Sequence, residues 1–141
     1  MLKTYKQIIT NPYSSESHHG VDLRSWDFEK ECLIPIIAPE PLIILRTSYH
    51  NGKDKYGNNF LIAQGVDTRF VLKFIHVDFF RSFDIGEQIE VGQEIGYTEI
   101  GGNSKAHHLH FETWEWDESE HFNPEYYMQK LQYDFDYKWN L

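Results

Sequence analysis

Cysteine is almost absent: Cys32 is the only one in 141 residues, so no intramolecular disulfide can form, and a metal site closed by several thiolates cannot be built. Cys32 stands in the apolar run Cys32-Leu33-Ile34-Pro35-Ile36-Ile37, where a buried, inert thiol is expected. Basic residues are in deficit, 13 against 22 acidic, for a net charge of −9. Partners held mainly through phosphate neutralisation, nucleic acid and anionic membrane surfaces alike, are disfavoured. Long hydrophobic runs are missing too. No stretch approaches membrane-spanning length, and Met1-Leu2-Lys3-Thr4-Tyr5-Lys6-Gln7 lacks the apolar centre and small-residue cleavage site of a signal peptide. The expectation is a soluble, non-inserted protein made in the cytoplasm without Sec export.

What is present is ample for a folded domain. Hydrophobic residues make up 40% of the chain and aromatics 16%, enough apolar surface to offset the entropy lost on folding. A single core is expected, with residues 1–17 as a polar extension and 18–141 as one domain. The runs Ile34–Pro39, Leu42–Leu45, Phe60–Ala63 and Phe70–His76 are rich in β-branched and aromatic residues and predict strands. Asn51-Gly52 predicts a turn. Between Ile85 and Gly96, glycines alternate with single aliphatics, a pattern of very short strands around tight corners. Biotinyl and lipoyl carrier domains share that pattern, but they need a lysine at a hairpin tip and this stretch has none. Asn123-Pro124-Glu125 supplies a cap, a first-turn proline and an early acid, predicting one helix from about Pro124 to Leu131. The fold class expected is mainly β: an antiparallel sheet with a short C-terminal helix.

Eight histidines carry the chemistry, and their spacing is the information. In His108-Leu109-His110 a strand puts both imidazoles on one face and excludes His107 and Leu109 from it. In His18-His19-Gly20-Val21-Asp22 the separation of four is again even, so an extended run bent at the glycine can aim His18 and Asp22 inward and His19 away. Two histidines and one carboxylate make a three-ligand zinc site with one open tetrahedral position, an arrangement suited to catalysis rather than structure.

These two motifs, His-x-Gly-x-Asp and His-x-His, resemble those of the lysostaphin/LytM-type metalloendopeptidases, enzymes that cut peptides of bacterial peptidoglycan. The resemblance runs over roughly residues 18 to 127. It takes in the Tyr56-Gly57-Asn58 turn, His76 at the end of a hydrophobic strand, the glycine-rich hairpins from Gly86 to Gly96, His110-Phe111-Glu112, and Asn123-Pro124. It implies the groove-bearing antiparallel sheet of that family, related to duplicated hybrid motifs. It implies one zinc per chain on His18, Asp22 and His110. His76 and His108 become the unliganded catalytic histidines, with His108 moving the proton and His76 supporting the oxyanion if protonated. Asn58 becomes a substrate contact, and a peptidoglycan peptide the substrate. For a lone catalytic domain without a leader, analogy suggests a phage lysin or virion-associated enzyme.

Two departures bear on the groove: Asn103-Ser104-Lys105-Ala106-His107 replaces the family's small-residue loop, and Gln64 stands at a position often histidine. Two other classes stay open. One is an inactive peptidase-like module that binds cell wall or a partner protein. The other is a zinc D-Ala-D-Ala carboxypeptidase, although that group spaces its first histidine and aspartate more widely. His19, His50, His107 and His121 are expected to be ordinary surface or hydrogen-bonded residues. Trp114 and Trp116 are expected in core packing, Glu112 beside the metal or as a plain strand carboxylate, and Glu115–Glu120 as a solvated loop.

Overall fold

The computed structural model describes residues 9–100 and 107–131. In chain order it places β1 (Ile9–Asn11), β2 (Val21–Arg24), β3 (Trp26–Asp27), β4 (Cys32–Leu33), β5 (Ile36–Ile37) and β6 (Leu42–Thr47), then α1 (Ser48–Asn51). There follow β7 (Phe60–Gly65), β8 (Val71–Ile75), β9 (Val77–Phe79), β10 (Gln88–Ile89), β11 (Glu94–Thr98), β12 (His108–Trp114), β13 (His121–Phe122) and α2 (Pro124–Lys130). The principal sheet runs β1-β2-β12-β8-β7-β6-β10, with β13 also on β12, and a three-stranded sheet, β5-β11-β9, stands beside it. Every pairing is antiparallel.

Strand β12 shows how sequence becomes layer. Along His108–Trp114 the even positions are half-buried, while Leu109, Phe111 and Thr113 are fully buried. The buried row continues into Val21 and Leu23 of β2, Leu72 and Phe74 of β8, and Leu61 and Ala63 of β7, so one face of the sheet is core. Tyr127 and Met128 of α2 close over that core. Asn123 caps α2 by accepting the Glu125 amide at 3.0 Å, with Pro124 in the first turn, as its sequence predicts. The opposite face of the sheet is left as a groove.

A buried carboxylate ties the helix to the sheet. Glu40 is 2% exposed and accepts the Asp67 and Thr68 amides, each at 3.0 Å, the Thr68 hydroxyl at 2.8 Å and the Tyr127 hydroxyl at 2.5 Å. A Cβ on Gly65 would collide with it. Alanine at Glu40 strands four donors at once, each worth about 1–3 kcal/mol when buried unpaired. We expect Glu40→Ala to cost about 3–5 kcal/mol and lower the thermal midpoint by on the order of 10 °C. Glu40→Gln, which keeps one acceptor oxygen, should lie between; calorimetry on both variants checks the order.

Four local expectations are corrected. Asn51-Gly52 ends the short helix α1, capped by the Thr47 hydroxyl, with Gly52 at φ 81°, and is not a hairpin turn. Cys32 is exposed: β3 and β4 form an outlying pair, and burial begins at Ile34. Trp116 is 68% exposed because β12 stops at Trp114 and a turn closed by Glu115 N–H to the Glu120 carbonyl follows. That turn is not simply solvated, since Glu118 reaches back to the sheet: Arg46 donates to it at 3.0 Å and the Lys73 amine lies 3.2 Å away. The Asn103–Ala106 departure lies outside the described residues, as does Met1–Ile8 of the expected extension. Among the described residues no helix is long and apolar enough to cross a membrane.

Candidate metal centre and groove

Register brings the chemistry together. Pairing of β12 with β2 sets His110 opposite Asp22 and His108 opposite Arg24, while β8 sets Ile75 on the other flank of His110. His18 arrives just ahead of β2, fixed by a bridge between Ser14 and His18. Gly20 makes that approach possible through its lack of a side chain: a Cβ there would overlap the Phe111 carbonyl oxygen and sit 2.9 Å from Glu112 Cγ. The motif glycine is therefore a spacing requirement and has no left-handed φ.

His18, Asp22 and His110 offer ligand atoms that all lie within 4.8 Å of one another. His18 donates from Nδ1 to the Pro12 carbonyl at 2.9 Å, which leaves Nε2 as the free donor atom, 3.4 Å from Asp22 Oδ1. His110 Nδ1 lies 2.9 Å from the same oxygen. His108 Nε2 is 3.7 Å from it. Two imidazole nitrogens and one carboxylate oxygen, each held by a neighbour, fit a divalent metal of the zinc type with one position open.

Charge is arranged to suit. Burial pushes the Asp22 carboxyl up, but the hydrogen bond from His110 and the charges of His108, His110 and His18 outweigh it, and its pKa is lowered. Burial pushes His110 down, yet its hydrogen bonds to Asp22 and Glu112 prevail and raise it to about 9. In the metal-free chain a proton therefore lies between His110 Nδ1 and Asp22 Oδ1, where a metal would take its place.

His76 is different in kind. It sits just past β8 at φ 75°, a left-handed conformation that is strained for a residue with a side chain, and its backbone joins the principal sheet to β9. Its amide donates to Asn59 and its carbonyl accepts from Glu99, both at 2.9 Å. The residue is 5% exposed, its ring stands edge-on to His108 with centroids 4.8 Å apart, and its buried Nδ1 has no hydrogen-bond partner among the described residues. Burial first, then the charges of His108 and His110, push its pKa down to about 4. A ring held that low is a neutral N–H donor at physiological pH, the condition under which any oxyanion support from it would operate.

The five residues line one groove of about 780 Å³, which Asn58, Tyr56, Lys73 and Glu112 also line. Asn58 is 3% exposed and belongs to a turn in which Asp54 accepts its amide at 2.9 Å. His107 Nδ1 approaches the Thr98 carbonyl and His50 Nε2 the Phe83 carbonyl, while His19 also lines the groove and stacks on His121 at 4.0 Å. Gln64 donates to the Arg69 carbonyl, a local loop tie. Trp114, expected in core packing, instead lies half-buried on the face of β12 shared by His110 and Glu112, against Lys73, which sequence reasoning did not single out. The signal was there for both, since strict alternation through β8 and β12 puts each on the groove face.

The pattern describing peptidase family M23 matches residues 16–124. A search of curated proteins returned no match. Among solved structures, LytU superposes with a TM-score of 0.67 at 18% identity over 94% of this chain and 90% of its own. Lysostaphin from Staphylococcus simulans, described as an antimicrobial peptidase, gives 0.65 at 20% identity over 92% of this chain and 53% of its own. A zinc-containing peptidase from Vibrio cholerae gives 0.59 at 17% identity, over 82% and 35%. The chain thus spans about half of lysostaphin and a smaller share of the Vibrio protein. At these identities the likeness is one of fold, and the fold is of the lysostaphin type.

Proposed function

Because the chain belongs to peptidase family M23, we propose that it is a zinc-dependent endopeptidase that hydrolyses peptide bonds in bacterial peptidoglycan. The observation that carries this reading is the convergence of His18, Asp22 and His110 in one groove with two further histidines. Its structural neighbours include a zinc-containing peptidase and the peptidase lysostaphin, in agreement with that chemistry.

Zinc would be held by His18 Nε2, Asp22 Oδ1 and His110 Nδ1, and when bound would acidify a water and polarise the scissile carbonyl. His108, with Nε2 on the metal side of its ring, takes the proton of the attacking water and returns it to the leaving amine. His76 acts as a neutral donor. With no partner for Nδ1 among the described residues, leaving the hydrogen on Nε2 avoids an orphaned N–H and gives the carbonyl oxygen a hydrogen bond as it gains charge. Asn58, fixed in the groove wall, contacts the substrate backbone.

Digestion of purified walls of several chemotypes, with mass spectrometry of the released termini, tests the proposal. Internal peptide bonds should be cut and the new amino termini should identify the bond. Release of terminal D-alanine alone would mark a carboxypeptidase, and wall binding without cleavage would mark an inactive module.

A further inference from the structure

We propose that Glu112 and Trp114 form a relay that orients His110 for metal binding, a role for two positioning residues that rests on the zinc reading above. His110, Glu112 and Trp114 occupy alternate positions of β12 and so share the groove face. Two N–H groups converge on the Glu112 carboxylate: His110 Nε2 lies 2.8 Å from Oε2, and Trp114 donates from Nε1 to Oε1 at 2.7 Å.

The inventory of donors decides what this does. An ionised carboxylate only accepts, so His110 Nε2 must carry a hydrogen, and the ring's coordinating lone pair is confined to Nδ1, the atom facing Asp22. The other tautomer would set a lone pair against Oε2. An indole only donates, so Trp114 can satisfy Oε1 and nothing else, which stops the carboxylate from turning away.

The indole is in turn held from two sides. The Lys73 amine lies 4.1 Å from its ring centroid, and His121 meets it edge-on at 5.0 Å. Lys73 is fixed by Glu118. At the other end Gly20 passes close to the Glu112 stem, where a Cβ would sit 2.9 Å from Glu112 Cγ. Tautomer and ring angle at the metal ligand are thus set by residues two and four positions farther along one strand.

Substitutions in the full chain separate this relay from ordinary packing, with zinc dissociation constants measured by chelator competition. Glu112→Ala should weaken zinc about 10- to 100-fold, the usual consequence of losing a hydrogen bond behind a ligand. Glu112→Gln offers one acceptor oxygen to two donors and should fall between. Trp114→Phe keeps a ring for Lys73 and removes only the N–H, and should weaken zinc by about three- to tenfold. In the Glu112→Ala background, Trp114→Phe should change nothing further, because its effect passes through the missing carboxylate. Long-range ¹H–¹⁵N spectra of the zinc-loaded chain should show the hydrogen on Nε2 of His110. Equal zinc affinity in Glu112→Ala and the unaltered chain, or a Trp114→Phe effect that persists without Glu112, overturns the relay alone. Failure of the unaltered chain to bind zinc overturns the metal assignment and the relay with it.

Discussion

Alanine at His108 or at His76 is expected to lower turnover at least about a hundredfold while zinc content stays near one per chain. A general base commonly contributes a factor of about 10² to 10⁴, and an oxyanion donor about 10² to 10³. On the proposed assignment neither ring is needed to fill the coordination set, since His18, Asp22 and His110 would supply it. Two controls sharpen the result. His107→Ala and His19→Ala alter rings that face the Thr98 carbonyl and His121, and both variants should keep most activity. Loss of metal in His76→Ala, or silence in His107→Ala with His108→Ala active, would sink the assignment of roles. His76→Gly has a second expected effect. Its φ of 75° suits glycine, so the variant should be inactive yet hold or gain stability, with up to about 1–3 kcal/mol of backbone strain relieved.

Removal of the metal, by chelator or by Asp22→Ala, is expected to abolish hydrolysis while leaving the β-rich circular dichroism largely intact. The core of Leu23, Leu72, Phe74 and Phe111 lies on the far face of the sheet and owes nothing to the groove. Zinc binding also depends on pH with a definite sign. In the metal-free chain the His110 pKa stands at about 9, so at pH 7 zinc must displace the Nδ1 proton. About one proton should be released per zinc at pH 7. The dissociation constant should fall about tenfold per unit as pH rises from 7 towards 9, then level off. Calorimetry in buffers of different ionisation enthalpy counts the proton. A pH-independent constant over that window would remove His110 from the ligand set. The same raised pKa has the opposite consequence for the metal-free fold. Stability gained from His110 is complete below the ordinary histidine value and is lost as pH climbs through 9.

Much of this site was readable because strands have a period of two. Parity alone puts His108 and His110 on one face, sends Leu109 to the core and turns His107 away, and the structure follows it residue by residue. The glycine between His18 and Asp22 was readable as a requirement, though its physical reason, the closeness of the Phe111 carbonyl, was not. Register resists such reading. Nothing local says that Asp22 lies opposite His110 rather than His108, since that depends on strands joined only in the finished sheet. His76 shows the same limit for the backbone: its left-handed φ is imposed by hydrogen bonds to Asn59 and Glu99, against its own preference. Cys32 and Trp116 were misread because hydrophobicity was taken for depth, whereas one sits on an outlying strand pair and the other in a turn. Glu118 could not be placed, because its partners Arg46 and Lys73 come from elements far away in the chain.

The position of β12 between β2 and β8 reaches beyond catalysis to the order in which the molecule comes into being. Asp22 and His110 are 88 residues apart, and they meet only when the strand near the end of the chain inserts beside one near its start. Closing so long a loop is entropically slow, and such contacts form late in folding. A chain emerging from the ribosome therefore carries His18 and Asp22 long before it has the strand that completes the site. Until then it holds no assembled metal centre and no groove floor. On the proposed function, proteolytic competence would arrive only with that long-range strand pairing.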